Sequence, residues 1–213
     1  AQGLVDIVSN DLPRIDHTGG CGSWLLENQS TNLIIYSENF SQWSTLGLPT
    51  LTPGQLAPDG TNNAYKISGS LSALTFAASS NQTQTRTIYA KTVSGTGQAN
   101  LCSYHGNTNN LFTITDQWQR FEVNGTSTGT GSSTFYAVDF RGSSTLSEII
   151  VWGAQLESLN ASSYIPTSGV ISTRVREVVT DSGNASLINS EEGSLYLDIA
   201  SLANDGTLRS IGL

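Results

Sequence analysis

Rings beside amides are the residues in this sequence most able to do chemistry. Tyr104 is followed by His105, Asn107, Asn109 and Asn110, and Trp43 follows Ser41-Gln42 in a polar stretch. The apolar face of a sugar ring stacks on an aromatic side chain while its edge hydroxyls take donors and acceptors, and amides supply both. Tyr104, His105, Asn107 and Trp43 are therefore the candidate carbohydrate-binding residues, with Tyr136 and Trp24 as further rings. A packing reading stands beside the binding one for Trp43 and Tyr104. Trp118 and Trp152 lie in alternating or wholly apolar segments and are expected in the core.

Covalent and hydrolytic chemistry find less support. His17 and His105 sit in polar Gly/Asn/Thr stretches with no Gly-x-Ser-x-Gly elbow nearby. Paired carboxylates for glycoside hydrolysis decide nothing in a chain with 17 acidic residues. There is no phosphate loop, dinucleotide fingerprint or Cys-x-x-Cys, which argues against a structural zinc and leaves no active site to read. A bridge between Cys21 and Cys102 is left open; alternation would place Cys102 on the face opposite Leu101.

The elements that must position these residues are strands. Only 37% of the 213 residues are hydrophobic and 12% charged, and Ser, Thr, Asn and Gly fill the difference, a turn-rich composition unlike that of helical bundles. Short apolar runs at about 33–36, 64–67, 71–77, 84–91, 98–104, 110–115, 118–124, 134–141 and 147–157 are separated by turn residues such as Pro58-Asp59-Gly60, Ser94-Gly95 and His105-Gly106-Asn107. The alternation in Thr87–Lys91 and Trp118–Val123 predicts antiparallel strands with one face buried, and Ile149–Trp152, apolar on both faces, predicts a central strand. The fold class expected is all-β, an antiparallel jelly-roll β-sandwich. Residues 1–32 read as a leader with a strand at Leu4–Val8, 33–167 as the sandwich, and 168–213 as a linker and strands of a second β domain.

Partners are bounded by charge. Nine basic residues against 17 acidic give a net charge of −8 with no basic cluster, which disfavours nucleic acid and anionic membrane surfaces. No apolar run approaches the roughly 20 residues of a spanning helix. The absence of any Met suggests that Ala1 does not begin the gene product.

An ordered series of landmarks carries a resemblance. Pro13-Arg14-Ile15-Asp16, Gly19-Gly20-Cys21, Leu25 to Leu33 and Tyr36-Ser37-Glu38-Asn39-Phe40-Ser41-Gln42-Trp43 come first. Ala57-Pro58-Asp59-Gly60-Thr61, Trp118-Gln119-Arg120-Phe121, Trp152 to Glu157 and Ser163-Tyr164-Ile165-Pro166-Thr167 follow in the same order. Over about Leu4 to Thr173 this resembles a module of bacteriophage tail, fibre and other virion proteins, itself similar to the carbohydrate-binding jelly rolls appended to glycan-degrading enzymes. Asn28-Gln29-Ser30 departs from the more usual Glu-Pro-Gln-Arg type of stretch and lacks an Arg that could pair there. The resemblance implies a non-enzymatic virion structural protein, a fibre, decoration or receptor-binding part, at the particle surface. Its expected partners are other virion proteins or copies of itself, as in a trimeric fibre, and a cell-surface glycan. A carbohydrate-binding module of a secreted glycan-active enzyme is the alternative, and a spacer without ligand a third. It also implies that Gly193 to Leu213 opens a concanavalin-like lectin domain, and that no cofactor is needed beyond a structural calcium, for which Glu38, Asp59 and Glu157 are the acidic residues nearest the landmarks.

Overall fold

The computed structural model describes residues 14–16, 22–79 and 81–178, together with Val5, Val8 and Leu12. The leader strand expected at Leu4–Val8, the turn at Gly19–Cys21 and the strands expected beyond Gly193 lie outside the described residues. The strands are β1 (Ile15–Asp16), β2 (Ser23–Trp24), β3 (Ser30–Asn32), β4 (Ser44–Leu46), β5 (Thr50–Gln55), β6 (Ala64–Ser68), β7 (Ala73–Phe76), β8 (Thr83–Lys91), β9 (Gly97–Ser103), β10 (Leu111–Ile114), β11 (Gln119–Thr126), β12 (Phe135–Asp139), β13 (Glu148–Ser158) and β14 (Ser172–Arg174).

Two compact units divide the chain. In the smaller, which comprises Pro13–Gln29 and Val175–Leu213, β1 pairs with β2. Arg14 there forks between two acids, its Nη2 2.6 Å from Glu27 and its Nε 2.5 Å from Glu177.

The larger unit, Ala1–Leu12 with Ser30–Arg174, is the sandwich. One five-stranded sheet runs β10-β9-β12-β7-β4 and the other β11-β8-β13-β6-β5, with every pairing antiparallel. From β6 onward successive strands alternate between the sheets, except for the β9–β10 hairpin. The last strand of each five-stranded sheet, β12 in one and β13 in the other, inserts between earlier ones. That winding is a jelly roll. Turn chemistry sets its corners: Thr61 N–H donates to Asp59 Oδ1 around Gly60 at φ +86°, and Tyr104 and Asn107 exchange main-chain bonds around Gly106 at φ +103°. Ile149–Trp152 forms part of the central strand β13, as its two apolar faces require.

Between the sheets lies a core that includes Phe40, Ile67, Leu74, Leu101, Phe135 and Leu156. A second cluster, of Tyr89, Ile150 and Trp152 with Ala57, Ala64, Tyr164 and Val5, covers the outer face of the β8-β13-β6 sheet. This corrects the one-sided burial expected for Thr87–Lys91, since both faces of β8 are buried. Trp152 is core, whereas Trp118 is only half-buried at the margin of this cluster, with the Lys91 ammonium 5.4 Å from its ring centre.

Two further expectations are corrected, and two strands are added. Residues 33–36 are not a strand; Ser30–Asn32 pairs with β14 instead, and Tyr36 makes a single bridge to Ser168. The edge strands β4 and β5 join the sheets on the side away from β10 and β11. Cys102 shares the core with Leu101, because its left-handed backbone at φ +53° breaks the alternation. Cys102 is a free, wholly buried thiol, and Cys21 lies outside the described residues.

Candidate functional site

Trp43 and Tyr104 are taken out of contention by packing. The 3-10 turn Phe40–Gln42 delivers Trp43 into the core, 6% exposed, with ring centres of Phe40, Phe76 and Phe135 at 5.2, 5.1 and 5.7 Å and its indole N–H on the Tyr36 carbonyl. Tyr104, also 6% exposed, lies under the guanidinium of Arg86, 4.2 Å from its ring centre, with its hydroxyl against Gly125. His105 is exposed, its Nδ1 2.9 Å from Thr128 Oγ1, and Asn107 closes the turn through its main chain. Without the Tyr104 ring that turn keeps polar groups but no stacking surface. Trp24 is 62% exposed and belongs to the smaller unit.

The three acidic candidates are held by protein donors. Glu38 accepts from Asn63 Nδ2 at 2.7 Å and from the Tyr164 hydroxyl at 2.8 Å. Burial pushes its carboxyl above the usual range, the hydrogen bond from Tyr164 opposes this, and the charge of Asp59 adds to it. Asp59 Oδ1 takes both donors of Thr61. Glu157, fully buried, accepts from Ser30 Oγ, Ser162 Oγ, Ser162 N–H and Gln155 Nε2. Among the described residues no three of His, Cys, Asp and Glu gather as a metal site.

The outer face of the β10-β9-β12-β7-β4 sheet does carry a ring beside convergent polar groups. Register places Tyr136 between Ser103 and Thr75, and Asp139 between Asn100 and Ala73. A bulge at Ala137 turns Tyr136 and Asp139, three residues apart, to one face, while Phe135, Ala137 and Val138 all enter the core. Just past the strand, Arg141 folds back over them. Its Nε and Nη2 donate to Asp139 Oδ1 and Oδ2 at 2.8 and 2.7 Å, and its guanidinium carbon is 5.3 Å from the Tyr136 ring centre. Asp139 is 5% exposed in its side chain and Arg141 41%. The hydrogen bonds from Arg141 to Asp139 raise the guanidinium further above its ordinary value, so it stands as a fixed cation against Asp139. Asn100 Nδ2 donates to the Arg141 carbonyl and to Ser144 Oγ, at 3.1 and 3.2 Å. The buried oxygens Asn100 Oδ1 and Ser103 Oγ on the same face have no protein hydrogen-bond partner. A partly buried phenol ring and a planar donor whose Nη1 is not engaged by Asp139 form a surface able to meet the ring face and hydroxyls of a polyhydroxyl ligand.

Of these residues only Tyr136 stood out as a candidate ring in the sequence. Asp139 and Arg141 were hidden because strict alternation separates Asp139 from Tyr136.

No protein-family model matches the chain and no curated protein matches it. Among solved structures, it is similar to the N-terminal CBM22-1-CBM22-2 tandem domain of Xyn10C from Paenibacillus barcinonensis, at 13% identity and TM-score 0.47, over 64% of this chain and 47% of that one. It is also similar to the CBM22-1-GH10 modules of endo-1,4-beta-D-xylanase 10B from Clostridium thermocellum complexed with xylohexaose, at 12% identity and TM-score 0.43, over 66% and 30% of the two chains. A third similarity, at 12% identity and TM-score 0.35 over 60% and 21%, is to the enzymatically active domain of tailspike protein 4 of bacteriophage CBA120.

Proposed function

We propose that this chain is a non-catalytic glycan-binding jelly-roll module, carried at the surface of a virion as a fibre, decoration or receptor-binding part. The observation that carries the binding half is the Tyr136–Arg141–Asp139 cluster on the outer face of one sheet, where the 41% exposed Arg141 lies over the Tyr136 ring. The virion half rests on the ordered landmarks from Pro13 to Thr167. The test of binding is an immobilised glycan panel probed with the wild-type chain and Tyr136→Ala. Loss of stacking and of its buried area is expected to weaken binding about tenfold or more with the unfolding midpoint nearly unchanged. Equal binding by the variant would remove this face from the proposal. Mass spectrometry of purified particles tests residence, and detection only in a secreted glycan-active enzyme would favour a carbohydrate-binding module of that kind.

A further inference from the structure

Building on the glycan-binding reading, we infer that the ligand is a neutral glycan, and that the Arg141–Asp139 pair excludes sugars bearing carboxylates. Register turns Gln98, Asn100, Ser103, Thr113, Tyr136 and Thr75 toward this face, amides, hydroxyls and a phenol, beside the uncharged Leu111, Ala73 and Leu46. Among the described residues of these strands Asp139 is the charged one on that face, and Arg141 neutralises it through two parallel hydrogen bonds.

An acidic sugar would seek the guanidinium, yet its Nε–Nη2 fork is spent on Asp139, whose charge cancels most of the attraction left at the Nη1 end. Drawing Arg141 away would leave a nearly buried carboxylate without its partner, a costly state. The chain also carries a net charge of −8, so polyanions are repelled before contact. A neutral sugar meets no such penalty. Its hydroxyls can accept from Nη1 on the exposed side of Arg141, while a ring face packs beside Tyr136. The ion pair thus acts as a positioning device: Asp139 holds Arg141 over Tyr136 and cancels the charge that would otherwise recruit anions.

The experiment is a panel of immobilised oligosaccharides in two sets, neutral (hexose, pentose and N-acetylhexosamine) and acidic (uronate- and sialate-containing), probed with the wild-type chain, Asp139→Asn and Arg141→Gln. The wild type should bind one or more neutral glycans at least about tenfold better than any acidic one, with affinity changing less than about twofold between low and high salt. Asp139→Asn frees the guanidinium and should gain acidic binding that salt abolishes. Arg141→Gln, which removes the cation, should bind neutral glycans more weakly and gain nothing acidic. Circular dichroism identifies any variant that does not fold, and the wild-type preference and its salt response decide the inference without the variants. Preference of the wild type for acidic glycans, or strongly salt-sensitive binding, would overturn the neutral assignment and leave glycan binding standing. Binding to neither set would overturn both.

Discussion

Arg86 shows how a charge can be interior without an acid beside it. Its side chain is wholly buried, and it donates to the carbonyls of Thr134, Gln84 and Gly125 at 2.9, 3.2 and 3.1 Å while the Tyr104 ring takes its face. Burial lowers its affinity for the proton, and the ring and three carbonyls offset part of that cost. Arg86→Ala should therefore cost about 3 kcal/mol or more of stability, since it opens a hole and leaves buried carbonyls unpaired. His105→Ala, an exposed change one residue from Tyr104, should cost less than about 0.5 kcal/mol; urea unfolding of both variants checks the contrast. Glu38 gives a pH dependence. Its native carboxyl is raised above the unfolded value, so the native state holds the proton more tightly. That stabilisation is complete below the unfolded value and is lost as pH rises through the native one. The stability of the wild type minus that of Glu38→Gln should therefore fall between about pH 4 and pH 7. A difference that rises over this interval would contradict the assignment.

At the scale of elements, β13 depends on one glycine. Gly153 has φ +61° at the break in register between Trp152 and Gln155, and a Cβ there would stand 3.2 Å from the Tyr164 ring and 3.3 Å from the Tyr89 ring. Those rings pack edge-to-face or tilted with Trp152, whose indole N–H donates to Asn63 Oδ1. Gly153→Ala should lower stability by about 2 kcal/mol, combining left-handed strain with crowding, and its near-ultraviolet circular dichroism should weaken as the ring cluster loosens. Breaks of this kind also mark what was legible. Eight strands of the expected sandwich, β6 to β13, fall within a few residues of their apolar runs, because period-two patterning and Gly/Asn turns are local signals. The left-handed backbone at Cys102 and the bulge at Ala137 break the alternation, which mis-faced Cys102 and hid the partnership of Tyr136 with Asp139. β5 escaped notice because Thr50–Gln55 contains Pro53-Gly54, which an edge strand tolerates when a register break leaves them out of the ladder. The ring chemistry expected of Trp43 and Tyr104 failed for another reason. Both follow polar or turn residues in the chain, but burial is decided by what folds over them.

At the scale of the molecule, the segment Ser30–Arg174 begins and ends on β3 and β14, whose register sets Ser30 opposite Arg174 and Asn32 opposite Ser172. The chain thus enters and leaves this segment on adjacent antiparallel strands. Behind them, Asn32 Nδ2 donates to the carbonyl of Ile165 while its Oδ1 accepts from Ile34 and Leu156, and Glu157 holds Ser30 and Ser162. This arrangement has a mechanical consequence. Tension applied through residues 29 and 175 loads the rungs one after another, beginning at Ser30 and Arg174, in the geometry of a zipper; the long strands of the two sheets are not loaded in shear until those rungs part. Stretching by optical tweezers with handles at these two positions should show a small, low-force release before the main rupture. Replacing Asn32 with Ala should shift the main rupture to lower force, because the next obstacle to peeling is its bonds to Ala154, Ile165 and Leu156. A module built this way gives at β3 and β14 under load while its two five-stranded sheets stay folded.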